Sequence, residues 1–158
     1  GPRSKNTSSK VLSYLLDEHL AGKAPEESIC TWFGMTLTRR HFSCFLPNRW
    51  FTDEVVNCYL RLVQERYAGC WCPNSFFWPA LESHGPNAVL RWARRAAVDW
   101  TSLKAVLVPL HLFQNHWALC VVDLRAHGLY YYDSLSYKPV SSLVPSMQGF
   151  LCASGLPG

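Results

Sequence analysis

Two rhythms of apolar and polar positions run along this chain, one helical and one strand-like. The stretch VLSYLLDEHLAG, residues 11–22, has helical spacing with Gly22 as its stop. After a polar APEES, the segment ICTWFGMTLTRRHF alternates through Met35, Leu37 and Arg39 and predicts a short strand. Thr52 then reads as a helix cap, with Asp53 and Glu54 at the positive end of the helix dipole. Val56, Leu60 and Val63 follow at i, i+4 and i+7 with Tyr59 beside them, so an amphipathic helix is expected to about Arg66, ended by Gly69 and Pro73. NSFFWPAL is aromatic and interrupted by Pro79. Pro86 suits a first helical turn, and NAVLRWARRAA predicts a helix with Val89, Trp92, Ala93 and Ala96 facing in and Arg91, Arg94 and Arg95 facing out.

The second rhythm belongs to strands. KAVLVPLHL is a short β-branched run with Pro109 near its end. WALCVVDL and GLYYYDSL read as the two strands of a hairpin joined around Arg125, Ala126, His127 and Gly128. From Ser136 onward, Pro139, Ser141, Ser142, Pro145 and a closing GLPG predict loop or tail. Helices followed by strands favour an α+β fold over a parallel βαβ sheet.

Composition narrows the class. With 158 residues, 49% of them hydrophobic and 14% aromatic, the chain has enough apolar material for one domain with a real core, which excludes a disordered protein. No apolar run approaches the roughly 20 residues of a membrane-spanning helix, so no membrane partner is expected. The polar, basic opening GPRSKNTSSK has no signal-peptide core. A net charge of +4 permits an acidic partner without demanding nucleic acid. The chain also lacks a basic run interleaved with aromatics, so no nucleic-acid partner is expected. Seven cysteines, an odd number with several inside apolar runs, point to a reducing, intracellular setting without a disulfide framework. Cys70-Trp71-Cys72 is one residue too tight for a metal-ligand pair and no second pair follows, so no metal or other cofactor is expected.

Candidate chemistry sits at the open end of the hairpin. His116 starts one strand and Asp133 ends the next, which places both at one edge of the sheet. A carboxylate that meets an imidazole orients the ring and stabilises the imidazolium, as a base activating a Cys or Ser nucleophile requires. A plain loop over 125–128 would set Asp133 nearer Cys120, so a bulge or strong twist is needed to close the gap. Solvated strand ends are the ordinary alternative. Trp117 offers a wall for a substrate channel, or it is plain core. Asp123, inside the strand, reads as structural.

Three ordered blocks carry a resemblance. VPLHLFQNHWALCVVDLRAHGLYYYDSL, residues 108–135, resembles the core motif of the sentrin/SUMO-specific cysteine proteases, the ubiquitin-like-protein protease family. LTRRHFSCFLPNRWFTDEVVNCYLRLVQER, residues 37–66, resembles the block in which a Trp precedes an Asn/Asp-Glu helix start. FFWPALESHGPNAVLRWARRAAVDW, residues 76–100, resembles the segment between them, with its Arg-Trp helix.

The resemblance implies a papain-like α+β cysteine protease fold and a triad in the order His, Asp, Cys. It makes His116 the general base and Asp133 its orienting partner. Trp50 and Trp117 would flank the tunnel for a substrate's C-terminal Gly-Gly, because a slot between two indoles admits a strand without side chains and rejects others. Asp53 would hold the tail of the ubiquitin-like protein, or act only as helix N-terminal charge. The implied partner is a SUMO-like ubiquitin-like protein with its conjugates. Arg39, Arg40, Arg49 and the cluster around Arg91 would face such an acidic partner, or form a solvated basic face. The implied location is intracellular, in the nucleus or the cytoplasm.

The nucleophile motif, an Asp-Cys-Gly run after a further helix and strand, has no counterpart here. Cys152, in GFLCASG, is the only cysteine after Asp133 and a poor candidate. The expectation is therefore a fold incomplete at its C-terminus, in three parts. Residues 1–34 would be an N-terminal extension with the first helix, 35–135 a partial protease domain, and 136–158 a divergent tail. Such a chain would be inactive as it stands. The alternatives are a non-catalytic SUMO-binding or regulatory fragment, or a protease for another ubiquitin-like protein.

Overall fold

Turn and cap residues, more than the apolar runs, decide where each element begins and ends. The computed structural model describes residues 23–156 together with Lys10 and Leu20. Apart from Leu20, the helix expected over 11–22 lies outside the described residues. The chain divides into two compact units, Gly1–Cys58 and Tyr59–Gly158.

In the first unit, β1 (Ser28–Trp32) and β2 (Met35–Thr38) form an antiparallel ribbon, turned at Phe33 and Gly34, both with positive φ. The strand expected through Arg39 stops at Thr38, because Arg39 opens a four-residue helix, α1 (Arg39–Phe42). The Thr38 amide donates to His41 Nδ1 at 2.9 Å and holds that turn. Leu37 is the buried residue of β2. Arg39 and Arg40 do not form an open basic face: Arg39 is buried against Glu27 at 2.8 Å, and Arg40 pairs with Glu26. A 3-10 turn at Ser43–Phe45 follows.

The helix α2 (Asp53–Arg66) begins in the first unit and ends in the second. Thr52 caps it as expected, its hydroxyl accepting from the Val55 amide at 3.4 Å. The buried stripe is Val55, Cys58 and Leu60, rotated from the expected Val56 and Val63, and Tyr59 points outward.

The second unit is a four-stranded sheet with three helices packed on one face. Its strands are β3 (Cys70–Trp71), β4 (Ala105–Leu112), β5 (His116–Asp123) and β6 (Gly128–Asp133), side by side in that order. β3 runs parallel to β4 and the other pairs are antiparallel. Pro109 lies mid-strand, not near the end. β3 pairs only with Ala105 and Val106, so beyond that point β4 has no strand on its β3 side and tolerates a residue without an N–H.

Two prolines that break the sequence pattern do not break the helices. Pro79 is the third residue of α3 (Phe77–His84), where an amide has no partner within the helix. Pro86 opens α4 (Pro86–Arg95) as expected. Gly85, at φ 75 and ψ 178, is both the end of α3 and the start of α4, a conformation open essentially to glycine alone. Val89 and Ala93 face in as expected. Ala96 caps the helix and is exposed.

The largest departure is the C-terminal stretch. Residues read as loop or tail form α5 (Leu143–Ala153), with Leu143, Met147 and Phe150 fully buried. Pro145 sits in its first turn, where it costs no hydrogen bond. These side chains join Phe77, Leu81 and Val89 against Val108, Leu110 and Cys120 of the sheet in one core. Ser142 and Ser146 hydroxyls donate to the Glu82 carboxylate at 2.8 and 2.7 Å, tying α5 to α3.

Candidate active site

The site is set by hairpin register. Asp123 Oδ1 accepts from the Arg125 and Ala126 amides at 2.9 and 3.0 Å, an Asx-type turn that ends β5 at Asp123. The loop is therefore 124–127, and Asp123 pairs with Gly128. Running back along the ladder, Asp133 pairs with Ala118, not with Cys120. His116 is two residues from Ala118 on the same face. The diagonal gap between strands is about 7–8 Å, within reach of an imidazole and a carboxylate. No bulge is needed, and the structure has none in this pair.

His116 Nε2 and Asp133 Oδ2 lie 2.7 Å apart, with side-chain exposures of 5% and 2%. Burial pushes the Asp133 carboxyl upward. Hydrogen bonds from His116, the Leu135 amide (2.8 Å) and the Tyr131 hydroxyl (2.9 Å) outweigh it and hold the carboxyl below its usual range. An ionised carboxylate only accepts, so Nε2 carries the proton. In the neutral ring that leaves the lone pair on Nδ1. Among the described residues, Nδ1 has no hydrogen-bond partner. An imidazole held by a buried carboxylate, with its second nitrogen open as a base, is what thiol activation requires.

Tyr137 closes over the ring edge-to-face, centroids 5.2 Å apart. Trp117, the next residue on β5, points to the opposite sheet face and stacks on His111 across the ladder at 4.2 Å, with planes 6° apart. Trp50 and Asp53 belong to the first unit: Trp50 is 58% exposed just before α2, and Asp53 is the first residue of that helix. The structure thus brings His116 and Asp133 together within the second unit, with Trp117 beside His116 in sequence but on the reverse face.

Four cysteines lie in this second unit, and none is beside the ring. Cys120 is on the same strand, fully buried, its thiol pushed up to about 12 by burial. Cys70 pairs with Ala105, at the end of β4 away from His116, and Cys72 is buried beyond it with a thiol also raised to about 12 by burial, helped by Cys70. Cys152 is exposed on the last turn of α5. Its neighbour Leu151 lines a hollow with Asp123, His127 and Gly128, the turn end of the hairpin. An eight-residue strand separates that end from His116 by roughly 20 Å.

Residues 49–141 match the Ulp1 protease family, C-terminal catalytic domain. The chain belongs to that family. A sentrin-specific protease of Caenorhabditis elegans is 30% identical over 148 residues, covering 90% of this chain and 21% of that protein. Sentrin-specific protease 2 of Rattus norvegicus is 36% identical over 119 residues, covering 72% and 20%. The chain therefore spans about a fifth of the length of these relatives. The C-terminal Ulp1 protease domain solved in complex with Smt3, the yeast ortholog of SUMO, superposes with a TM-score of 0.84 at 24% identity, covering 98% of this chain and 71% of that one. The α+β fold is accordingly that of a Ulp1-type catalytic domain.

Four features of the site were not read from sequence: Tyr131, the Leu135 amide, Tyr137 and the His111 stack. Tyr131 alone left a usable signal, since it lies two residues before Asp133 and strand parity puts both on one face.

Proposed function

We propose that this chain carries the base and its orienting acid of a SUMO-specific cysteine protease, which cleaves after Gly-Gly to mature precursors and to release the modifier from lysine side chains. The 2.7 Å pairing of His116 with Asp133, in a member of the Ulp1 family, is the observation that supports the reading. In this mechanism Nδ1 of His116 takes the proton of a cysteine thiol, and the thiolate attacks the carbonyl of the terminal glycine. The protonated ring then gives its proton to the departing amine. Water, deprotonated by the same ring, releases the glycine carboxylate from the thioester. Asp133 keeps the ring in one tautomer throughout and balances the charge it acquires. By the family resemblance, Trp50, Asp53 and Trp117 are each assigned to contacts with the modifier's C-terminal tail. The partner is a SUMO-like protein with its conjugates; nuclear location is part of the proposal and is tested by imaging a tagged chain.

The second reading is a chain that binds a SUMO-like protein without cleaving it. The placement of Cys70, Cys72, Cys120 and Cys152, none of them beside His116, favours it. One experiment separates the two. The chain is incubated with SUMO precursor and with SUMO bearing a C-terminal electrophile, and products are weighed by mass spectrometry while binding is followed by calorimetry. Covalent capture supports the protease and locates the thiol. Binding without capture supports the second reading, and neither binding nor capture overturns both.

A further inference from the structure

We propose that Tyr131 is a positioning residue of the His116–Asp133 pair: its phenol fixes the carboxylate so that Oδ2 offers one lone pair, in one direction, to the imidazole. The inference rests on the reading of His116 as base. Three consecutive tyrosines precede Asp133 in β6, and strand alternation makes them unequal. Tyr130 and Tyr132 face outward, while Tyr131 is half-buried and packs on the main core. Its hydroxyl donates to Oδ2, the same oxygen that receives His116 Nε2. The Leu135 amide holds Oδ1. With one oxygen pinned and the other shared between two donors, rotation about Cβ–Cγ would break three hydrogen bonds together.

A carboxylate lacking the phenol would still accept from the ring, but it would have a free lone pair and more rotational freedom. The ring could then rock, or exchange its proton between nitrogens, so a share of the population would present Nδ1–H, which cannot take a proton. The phenol is suited to the task because it stays protonated: burial and the Asp133 charge push it up to about 12, so it donates across the working range of an imidazole base.

The test uses the whole chain, with histidines labelled with nitrogen-15. In the wild type the two ring nitrogens of His116 should show the shifts of a single neutral tautomer protonated at Nε2. Tyr131→Phe, which keeps the ring and its packing, should raise the Nδ1–H share to at least a tenth, and Asp133→Asn should scramble it further. Tyr132→Phe, on the other face, should change nothing. Any cleaving activity of the chain should fall in kcat by the share of rings that present Nδ1–H, with KM held, in Tyr131→Phe. A purely structural role would lower the melting temperature and leave the tautomer ratio alone, and that result overturns the proposal. An Asp133→Asn spectrum identical to wild type would overturn the reading of the pair itself. Should Tyr131→Phe not fold, the wild type still decides: a slowly exchanging Tyr131 hydroxyl proton with a cross-peak to the His116 ring supports the proposal, and fast exchange like that of Tyr132 ends it.

Discussion

Replacing Phe150 by Ala asks whether α5 is part of the fold or an appendage. The ring is fully buried, with centroids 5.2 Å from Phe77, 6.1 Å from Trp100 and 6.2 Å from Trp71. A buried Phe→Ala change costs about 3–5 kcal/mol through lost transfer energy and the cavity left behind. Aromatic pairing adds about 0.5–1.5 kcal/mol per favourable pair beyond area burial, so the upper half of that range applies here. A domain is held by about 5–15 kcal/mol in total, so roughly a quarter or more of the stability would go. At roughly 2–4 °C per kcal/mol for a chain of this size, the melting temperature should drop by about 8–20 °C. Urea unfolding followed by circular dichroism measures the loss directly, with Val144→Ala on the exposed side of the same helix as control, expected within about 0.5 kcal/mol of wild type. A Phe150→Ala chain within about 1 kcal/mol of wild type would refute the argument and return residues 143–153 to the loop that their Pro and Ser content suggests.

Stability should also fall in acid. Asp133, despite burial, is held down by His116, the Leu135 amide and Tyr131, while Asp99 is held down by the Thr101 hydroxyl and Asp123 by the Ala126 and Arg125 amides. A depressed carboxyl stabilises the fold above its unfolded value, about 3.9, and the gain is lost as pH drops through the folded value. Denaturation curves should therefore be flat above about pH 5 and fall below it, and Asp133→Asn should remove part of that slope. Thiol labelling read by mass spectrometry should mark exposed Cys152 within minutes and spare Cys72 and Cys120 until urea unfolds the chain, because both are buried with thiols raised to about 12; early labelling of Cys120 would contradict its placement. Gly85→Ala should cost about 1–3 kcal/mol in thermal unfolding. Its added methyl would meet nothing within 4 Å, so the loss would be backbone strain alone, and an unchanged melt would show that the positive φ is not required.

Element type was legible wherever side-chain period and cap residues agreed. Thr52 with Asp53 and Glu54, Pro86, and the two runs of the hairpin all found their places. The phase of the hairpin was not legible. Leu124 is apolar and read as strand, yet the Asp123 side chain captures two amides and ends the strand one residue sooner. That local bond moved Asp133 two rungs along the ladder and removed the need for a bulge. α5 was missed because Pro145 and the serines were weighed as breakers. Leu143, Met147, Phe150 and Leu151 recur at i, i+4, i+7 and i+8, and a first-turn Pro is compatible with that period. Trp50 and Trp117 belong to separate units; the role of Trp50 came from resemblance alone, and that of Trp117 also from its place beside His116. Tyr131 was legible only through parity with Asp133: of the three identical residues, it alone shares the face of that carboxylate.

The turn at Asp123 works as a gear-setting for chemistry performed at the far end of the ribbon. A slip of one residue in the pairing set there would swing Asp133 round to the side that carries Trp117. The pairing set there, some 20 Å from any reacting atom, thus decides which face the carboxylate takes.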